Sequence, residues 1–257
     1  MSKPFYIELP NHGLIHIEGA DRVDFLQGLI TNDVTKLEEK KILYACLLTP
    51  QGKFLHDFFM HWGDGFILLD CEGGDRAQDL YTRLNRYRLR SNVQLSVEED
   101  HKTYAVFGED IGLPDPRHNA LGNRTFEKPD AEEKPFEEWD KLRIHHKIPD
   151  GSRDMIVDKS LPLECGLDKL NALDWDKGCY MGQELTARMH YRNLGKKRLQ
   201  ALEFNNTPPA PFDDITLNDK TIGQMRSSCG TIGLALIKDE YLDALQSNEN
   251  SLRLLGQ

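Results

Sequence analysis

Three apolar runs in close succession restrict the fold of this chain more than any other feature of its sequence. Residues 42–49, 53–62 and 66–71 are each of strand length, and only the short turn sequences PQG and GDG separate them. Turn residues between strand-length apolar runs are typical of antiparallel hairpins. The pattern predicts a three-stranded antiparallel meander. It argues against a doubly wound parallel sheet, which would need a helix after nearly every strand.

Helical patterns flank this meander. Asp21 is the expected N-cap of a helix that stops near residues 31–33, and Asp75 is the expected N-cap of a second helix. The second helix is predicted to turn its apolar side chains inward: Ala77, Leu80, Leu84 and Tyr87. Further strands are predicted near 6–9, 14–18, 93–97 and 104–107, and another helix over 136–147. Helices among antiparallel strands place the chain in the α+β class.

The C-terminal part of the sequence is strand-like, with apolar runs at 199–204, 221–225 and 230–237. The sequence PPAP at 208–211 interrupts it directly after the first run. A chain of 257 residues lies at the upper limit of what one hydrophobic core serves. We therefore predict a body over residues 1–200 and a short β-rich subdomain over 201–257 that packs on it.

The charge balance limits the partners of the chain. With 32 basic and 42 acidic residues the formal net charge is -10, which disfavours nonspecific binding of nucleic acid. Basic residues are concentrated in two windows, 82–90 and 176–198, which are either solvated helix faces or an anion site. No apolar run approaches the ~20 residues that cross a bilayer, and the N-terminus lacks a signal-peptide pattern. A cytoplasmic location without membrane attachment is the resulting expectation.

The cysteines are too scattered for a resident metal centre. The chain has five, Cys46, Cys71, Cys165, Cys179 and Cys229, and no CxxC pair. Structural zinc and complete iron-sulfur sites usually draw on closely spaced pairs, so no stably bound metal is expected. Four of the cysteines lie in apolar surroundings, as buried thiols do in a reducing compartment.

The segment KGCYMGQE, residues 177–184, is the most unusual local combination in the chain, because glycines lie on both sides of Cys179. We expect the thiol in this turn to be partly accessible. Lys177 and the start of the helix predicted to follow would both lower the pKa of the thiol and favour thiolate. Alternatively, Cys179 and Tyr180 simply fill a gap beneath a tight turn. On the following helix, Glu184 and Arg188 are four residues apart and would pair.

This segment, with Ala187-Arg188 downstream, resembles the signature of the YgfZ/Iba57 folate-binding family, relatives of the glycine-cleavage T-protein. The resemblance covers most of the chain. Its other blocks are FLQG at 25–28, TNDV at 31–34, PQGK at 50–53, YRLR at 87–90 and Leu163-Glu164.

The resemblance implies a T-protein-like fold, in which α+β modules and a small C-terminal β-barrel surround a central folate-binding hole. It implies tetrahydrofolate or another reduced folate as cofactor. It also implies a role in assembling or repairing iron-sulfur clusters, particularly of the four-iron type. The partner would be an iron-sulfur scaffold or a carrier of the A-type. By the resemblance Cys179 is the functional thiol and a transient cluster ligand, and the folate site draws on Asn32, Asp33, Glu164, Lys177, Tyr180, Gln183, Glu184 and Arg188. The arginines of window 82–90 would pair with a polyglutamyl tail.

One departure from the T-protein pattern keeps other functions open. His56 stands where the T-protein has the first of two acids, although Asp57 follows it. Without the resemblance, His56 is interpreted as an exposed strand histidine. A tetrahydrofolate-dependent one-carbon transferase of the aminomethyl type is one alternative to the accessory role, and a tRNA-modification factor is another. Whether the chain catalyses any reaction is left open at this stage.

Overall fold

The structure is a computed structural model that describes residues 3–98, 101–192, 194–246 and 252–255. Its helices are α1 (Arg22–Gln27), α2 (Leu37–Lys40), α3 (Asp75–Arg88), α4 (Phe136–His145), α5 (Gly151–Asp154) and α6 (Gln183–Arg192). Its strands are β1 (Phe5–Leu9), β2 (His12–Glu18), β3 (Ile42–Leu48), β4 (Phe54–Trp62), β5 (Phe66–Glu72), β6 (Gln94–Glu98), β7 (Thr103–Phe107), β8 (Leu113–Pro114), β9 (Asn123–Thr125), β10 (Glu132–Glu133), β11 (Lys197–Phe204), β12 (Asp214–Leu217), β13 (Lys220–Cys229), β14 (Ile232–Lys238) and β15 (Leu252–Leu254). The helices and the largely antiparallel strands confirm the α+β prediction.

The predicted meander is present as β3, β4 and β5, within a sheet of order β3-β4-β5-β2-β6. Every residue of β3 is buried, because apolar side chains cover both faces of this sheet. Leu43, Ala45 and Leu47 face one hydrophobic core, which the helices α1 and α3 complete. Tyr44 and Cys46 alternate with them and face a second core on the other side. This two-sided burial explains why the runs are continuous rather than alternating.

A second sheet, of order β10-β1-β7-β9-β8, packs with α4 against that other face. Its pairings are antiparallel except for β1 with β10, which is parallel. Ile7 and Ala105 from this sheet share a core with Trp139 of α4 and Phe59 of β4. The first two sheets and α4 therefore enclose a common interior, in which the central cavity described below lies.

The C-terminal sheet has the order β12-β13-β14-β11-β15 and its own apolar core. All of β11 belongs to it, so the boundary predicted at residue 200 falls inside a strand. The PPAP sequence lies between β11 and β12, within the subdomain rather than at its start. Ile144 of α4 packs with Leu199, Ala201 and Leu234 and joins this sheet to the rest of the chain.

Several local predictions need correction. Asp21 is the N-cap residue of α1 as predicted, but its side chain makes no capping hydrogen bond, since the carboxylate accepts the Asn92 N–H at 2.7 Å instead. That helix ends at Gln27, earlier than expected, because the following residues bridge to β3. Asp75 is the first residue of α3 rather than its cap. The buried stripe of α3 ends at Leu84, one turn before the helix does, which leaves Tyr87 exposed.

No helix in the described ranges is both long enough and apolar enough to cross a membrane.

Candidate functional site

A central cavity of about 140 Å³ lies between the first two sheets and the helices α4 and α5. Aromatic side chains form part of its walls, and several of the charged side chains beside them are buried. Its lining includes Asn11, His12, Asp57, Phe59, Asp70, Glu72, Arg117, Arg124, Phe136, Trp139, Asp150 and Arg153. A space with aromatic walls and a few converging polar groups is the usual form of a small-molecule site.

Asp57 of β4 is the acid that the meander turns toward this cavity. Its carboxylate accepts a hydrogen bond of 2.7 Å from the Tyr44 hydroxyl on β3. Burial raises the pKa of Asp57 to about 6, although the Tyr44 hydroxyl and the Arg117 guanidinium oppose the shift. A carboxyl group that titrates near neutral pH can exchange a proton under physiological conditions.

Two N–H groups at the cavity have no acceptor within the described residues. They are Trp139 Nε1 and Arg124 Nε, and both side chains are about 2% exposed. Phe136 and Trp139 place their rings side by side, with centroids 5.5 Å apart. Because buried N–H groups are rarely left without a partner, these donors and rings fit a flat heterocycle that carries hydrogen-bond acceptors.

A frame of buried ion pairs fixes the guanidinium groups of the cavity. Arg124 contacts Asp70 at 2.5 Å, and His12 Nδ1 lies 2.6 Å from the same carboxylate. Burial alone would raise the pKa of Asp70, but His12 and Arg124 outweigh it and hold that pKa well below its usual range. Arg117 binds Asp115 through two nitrogens, at 3.0 and 2.8 Å. These pairs orient Arg117 and Arg124 without help from a ligand.

His56 does not share the cavity with Asp57. Neighbouring strand residues point to opposite faces, and the His56 ring therefore faces α3, where its Nε2 lies 2.8 Å from Asp79. It is only 2% exposed, so its interpretation as an exposed strand histidine was wrong. Burial lowers the pKa of His56 to about 4. His56 consequently cannot replace the missing acid, and of these two neighbours only Asp57 lines the cavity.

The KGCYMGQE segment lies away from the cavity and presents its thiol to solvent. Cys179 is exposed, which confirms the predicted accessibility, whereas Cys46, Cys71 and Cys165 are buried. Burial raises the pKa of Cys46 well above its usual value and that of Cys165 to about 12. Cys229 is partly exposed, and burial raises its pKa as well. An accessible thiol therefore distinguishes Cys179 from the three buried cysteines.

Lys177 directs its hydrogen bonds to the backbone and not to the Cys179 thiol. Its ammonium group is buried and donates to the backbone carbonyls of Gln27, Ile30 and Asn32, at 2.9, 2.7 and 2.7 Å. An ammonium has three N–H groups, so these carbonyls occupy its whole donor capacity. Burial lowers the pKa of Lys177 to about 8. Lys177 thus anchors the segment to the chain that follows α1.

Two glycines fix the other end of the segment. Gly182 has a φ of +84° and Gly52, in the PQG turn, a φ of +76°. A Cβ at Gly182 would lie 2.5 Å from the Thr49 carbonyl oxygen, and one at Gly52 would lie 2.9 Å from the Gly182 oxygen. Both positions therefore require glycine, since the two turns touch backbone to backbone.

The remaining predicted binding residues do not surround one cavity. Asn32 donates to the carbonyls of Tyr44 and Asn171, and Asp33 accepts from Thr35 and Gln27, so both hold local structure. Tyr180 is buried, and its hydroxyl has no partner among the described residues. Gln183, Glu184 and Arg188 lie on α6, and within the described ranges no ion pair links Glu184 to Arg188. Glu164 lines a different cavity, and the arginines of window 82–90 lie outside the lining of the central one.

Known proteins resemble this chain at two levels, one for the C-terminal sheet alone and one for most of the chain. Residues 196–254 match the family model described as the CAF17 C-terminal beta-barrel domain, which is the C-terminal sheet. A glycine cleavage system aminomethyltransferase T from Bartonella henselae superimposes with a TM-score of 0.71 at 14% identity, over 94% of this chain and 80% of that one. This likeness confirms the T-protein-like fold.

Relatives of the whole chain are named iron-sulfur cluster assembly factor IBA57, mitochondrial, or its homolog. The relative from Mycosarcoma maydis is 31% identical over 81% of this chain, and the one from Mus musculus is 26% identical over 91% of it. These likenesses confirm the predicted resemblance to the YgfZ/Iba57 family. It spans 60% of the length of the Mycosarcoma maydis protein and 52% of that from Neurospora crassa, which is 30% identical over 75% of this chain. It covers 77% of the Mus musculus protein.

We expect Lys177→Met to destabilise the fold by about 2–4 kcal/mol, because it leaves three carbonyl groups without their donor. Denaturant unfolding measures the loss, and hydrogen exchange at residues 178–182 reports whether the segment has become loose. Lys159→Met, at an exposed lysine, is the matched control. Equal stability of the two variants would show that the three hydrogen bonds do not anchor the segment.

Proposed function

We propose that this chain is an accessory factor of iron-sulfur cluster assembly that binds a reduced folate in the central cavity and presents Cys179 to a cluster in transit. The exposed thiol, in a chain whose relatives are named cluster assembly factors, is the observation that carries this proposal. The cluster is the substrate. Because clusters usually take four protein ligands, Cys179 supplies one and the partner supplies the others. The partner is a scaffold or a carrier of the A-type.

The exchange at Cys179 requires no oxidant. The thiol releases its proton to solvent, and the thiolate sulfur forms a bond to one cluster iron as a ligand of the donor protein leaves. When the cluster passes on, the acceptor's thiolate replaces Cys179, which takes up a proton again. Exposure of the sulfur matters in both steps, because the incoming ligand must reach the same iron.

The central cavity suits the pterin end of a reduced folate in its hydrogen-bonding groups and its aromatic walls. The pyrimidine ring of a reduced pterin is flat, with N–H donors on one edge and acceptors beside them. Asp57 would accept from that edge, while Trp139 Nε1 and Arg124 Nε, which lack acceptors, would donate to it. Arg153, which is 41% exposed at the rim and pairs with Asp140 and Asp150, would in addition contact the carboxylates of the glutamyl tail. A bound reduced folate supplies one-carbon chemistry or a reducing centre, and these side chains orient it.

We expect tetrahydrofolate to quench the fluorescence of Trp139 on binding, and Asp57→Asn to weaken that binding at least tenfold. The reason is that a hydrogen bond to a charged carboxylate contributes about 1.5–3 kcal/mol. Fluorescence titration of Trp62→Phe/Trp175→Phe, which leaves Trp139 as the reporter, measures both effects. Asp64→Asn, at an exposed turn, is the matched control. Absence of saturable quenching at millimolar folate would refute the folate site.

Asp57 also favours a second candidate function, a tetrahydrofolate-dependent one-carbon transferase. Such an enzyme needs a proton acceptor beside the folate, and a carboxyl group with a pKa of about 6 is suited to that role. The test is turnover of one-carbon folates by the wild-type chain and its loss in Asp57→Asn. No comparable observation favours a tRNA-modification factor, since Arg83 and Arg198 of the basic windows pair with Asp79 and Asp239.

The raised pKa of Asp57 predicts a specific pH dependence of stability. A carboxyl group with a higher pKa in the folded state binds more protons there, so its contribution to stability is lost as pH rises from about 4 to 6. The Asp57→Asn variant has no such carboxyl group and does not show this loss. Between pH 4 and pH 7 its free energy of unfolding should therefore rise by about 1–2 kcal/mol relative to that of the wild type. Urea unfolding at a series of pH values measures the difference. A constant difference between the two proteins would contradict the raised pKa.

The cellular location belongs to the proposal as well. The relatives are named mitochondrial, so an assembly role in that compartment is compatible with the comparisons. The cytoplasmic location expected from the sequence stays a prediction.

A further inference from the structure

A second cavity, of about 360 Å³, lies where the C-terminal sheet meets the rest of the chain. Its walls are the turn after α4, the segment 163–170, the end of α6 and the first half of β11. The Leu199 N–H donates to the Glu164 carbonyl oxygen at 2.8 Å and joins two of these walls. Ligand pockets of roughly 300–1,000 Å³ occur preferentially at such junctions between domains.

Two carboxyl groups that line this cavity lack hydrogen-bond donors among the described residues. Asp168 Oδ1 is buried and has no hydrogen-bond partner among the described residues. Glu164 is half-buried, and burial raises its pKa despite the opposing charges of Lys197 and Lys53. Buried carboxylate oxygens are normally hydrogen-bonded. The two groups therefore lack the N–H donors that a ligand would bring.

Three exposed lysines line the same cavity. Lys147, Lys169 and Lys197 form no ion pair with any residue in the described ranges. Burial and the charge of Lys169 together lower the pKa of Lys147, which shows that the two cations repel each other. An anionic group placed among them would relieve this repulsion.

We propose that the second cavity binds a small zwitterionic ligand of the amino-acid or short-peptide type. The ammonium or amide N–H groups of the ligand would meet Glu164 and Asp168, and its carboxylate would lie among the three lysines. A ligand that carries both charges suits this lining, because the carboxyl groups and the exposed lysines form no ion pair with one another in the described ranges. An anion alone would leave the carboxyl groups unsatisfied. This site is separate from the central cavity, and its existence does not depend on folate binding.

Isothermal titration of the full chain with glycyl-glutamate, L-glutamate, inorganic phosphate and adenosine monophosphate tests the proposal. We expect the dipeptide or the amino acid to bind saturably, and Glu164→Gln and Lys169→Gln each to weaken that binding about tenfold or more. Lys220→Gln, at an exposed lysine of β13, is the matched control and should leave the affinity unchanged. Circular dichroism establishes that each variant is folded.

Three results would overturn the inference. One is a lack of saturable binding by both the dipeptide and the amino acid. Another is preferential binding of phosphate or the nucleotide that is unaffected by Glu164→Gln, because the carboxyl groups would then have no role. The third is displacement of the dipeptide by tetrahydrofolate, which would make the two cavities one functional site. Trp139 quenching by folate reports the central cavity independently, so failure of either proposal is recognised separately.

Discussion

Asp154→Ala is expected to destabilise the protein by about 3–5 kcal/mol, the largest loss of stability that we predict for one substitution. The Asp154 carboxylate accepts from several buried donors, and each buried donor left without an acceptor costs about 1–3 kcal/mol, although Arg143 keeps Asp140 as an ion-pair partner at 2.6 Å. Asp154 and Arg143 are fully buried, and their side chains lie 2.7 Å apart. The other Asp154 oxygen accepts from the Ser227 N–H and hydroxyl, at 2.9 and 2.6 Å. One carboxylate therefore ties α4 and α5 to the C-terminal sheet.

Thermal and denaturant unfolding measure this effect. Asp130→Ala, at an exposed loop position, is the matched control and should change stability by less than about 0.5 kcal/mol. The double variant Asp154→Ala/Arg143→Met also removes the Arg143–Asp140 pair, and its difference from the sum of the two single variants measures how strongly Asp154 and Arg143 are coupled. If Asp154→Ala unfolds like the control, the C-terminal sheet is held by its apolar contacts around Ile144 rather than by this carboxylate.

The meander was predictable because its signals are local. Turn residues at 50–52 and 63–65 interrupt apolar runs of strand length, and neither signal depends on distant parts of the chain. The end of α1 was not predictable in this way. Its apolar spacing continues to Ile30, but the backbone there bridges to Leu47 of β3, so a tertiary contact ends the helix. The periodicity of a sequence carries no record of such contacts.

The residues that line the central cavity escaped prediction because distant segments contribute them. Asp70 and Arg124 are 54 residues apart, and Trp139 comes from a helix that showed only ordinary periodicity. A single signal was available in the sequence, an aspartate within the otherwise apolar run of β5. A charged residue in a strand with two buried faces needs a partner, which pointed to Asp70 as a member of a buried network. Only the structure shows that Arg124 and His12 are the partners of Asp70.

The thiol of Cys179, by contrast, was found from the sequence, although Lys177 has a different role there. Glycines beside a cysteine indicated an accessible turn, and the structure confirms the exposure. The lysine in the motif suggested an effect on the thiol, yet it binds three carbonyls. Spacing along the chain shows which groups are near each other in sequence, but side-chain direction depends on the acceptors that folding brings within reach.

Cys179→Ser is expected to abolish support of four-iron enzymes in cells that lack the native protein, while the fold stays intact. The serine hydroxyl is close in size to the thiol and the site is exposed, so the free energy of unfolding should change by less than about 0.5 kcal/mol. A serine oxygen, however, is a poor ligand for iron in a cluster, which is normally held by thiolates. Activity of a four-iron enzyme in the complemented cells measures the effect, and unfolding of the purified variant shows that the fold is retained.

The reactivity of the thiol gives an independent measurement with an internal control. Because Cys179 is exposed and Cys46, Cys71 and Cys165 are buried, a thiolate-selective alkylating reagent at neutral pH should modify Cys179 first, at least about tenfold faster than those three. Peptide mapping after short exposure identifies the labelled residue, and partly exposed Cys229 calibrates the effect of access alone. Cys229→Ser is the matched variant and should complement fully. Full complementation by Cys179→Ser, or labelling no faster than Cys46, would make Cys179 a structural residue and leave the accessory role to the central cavity.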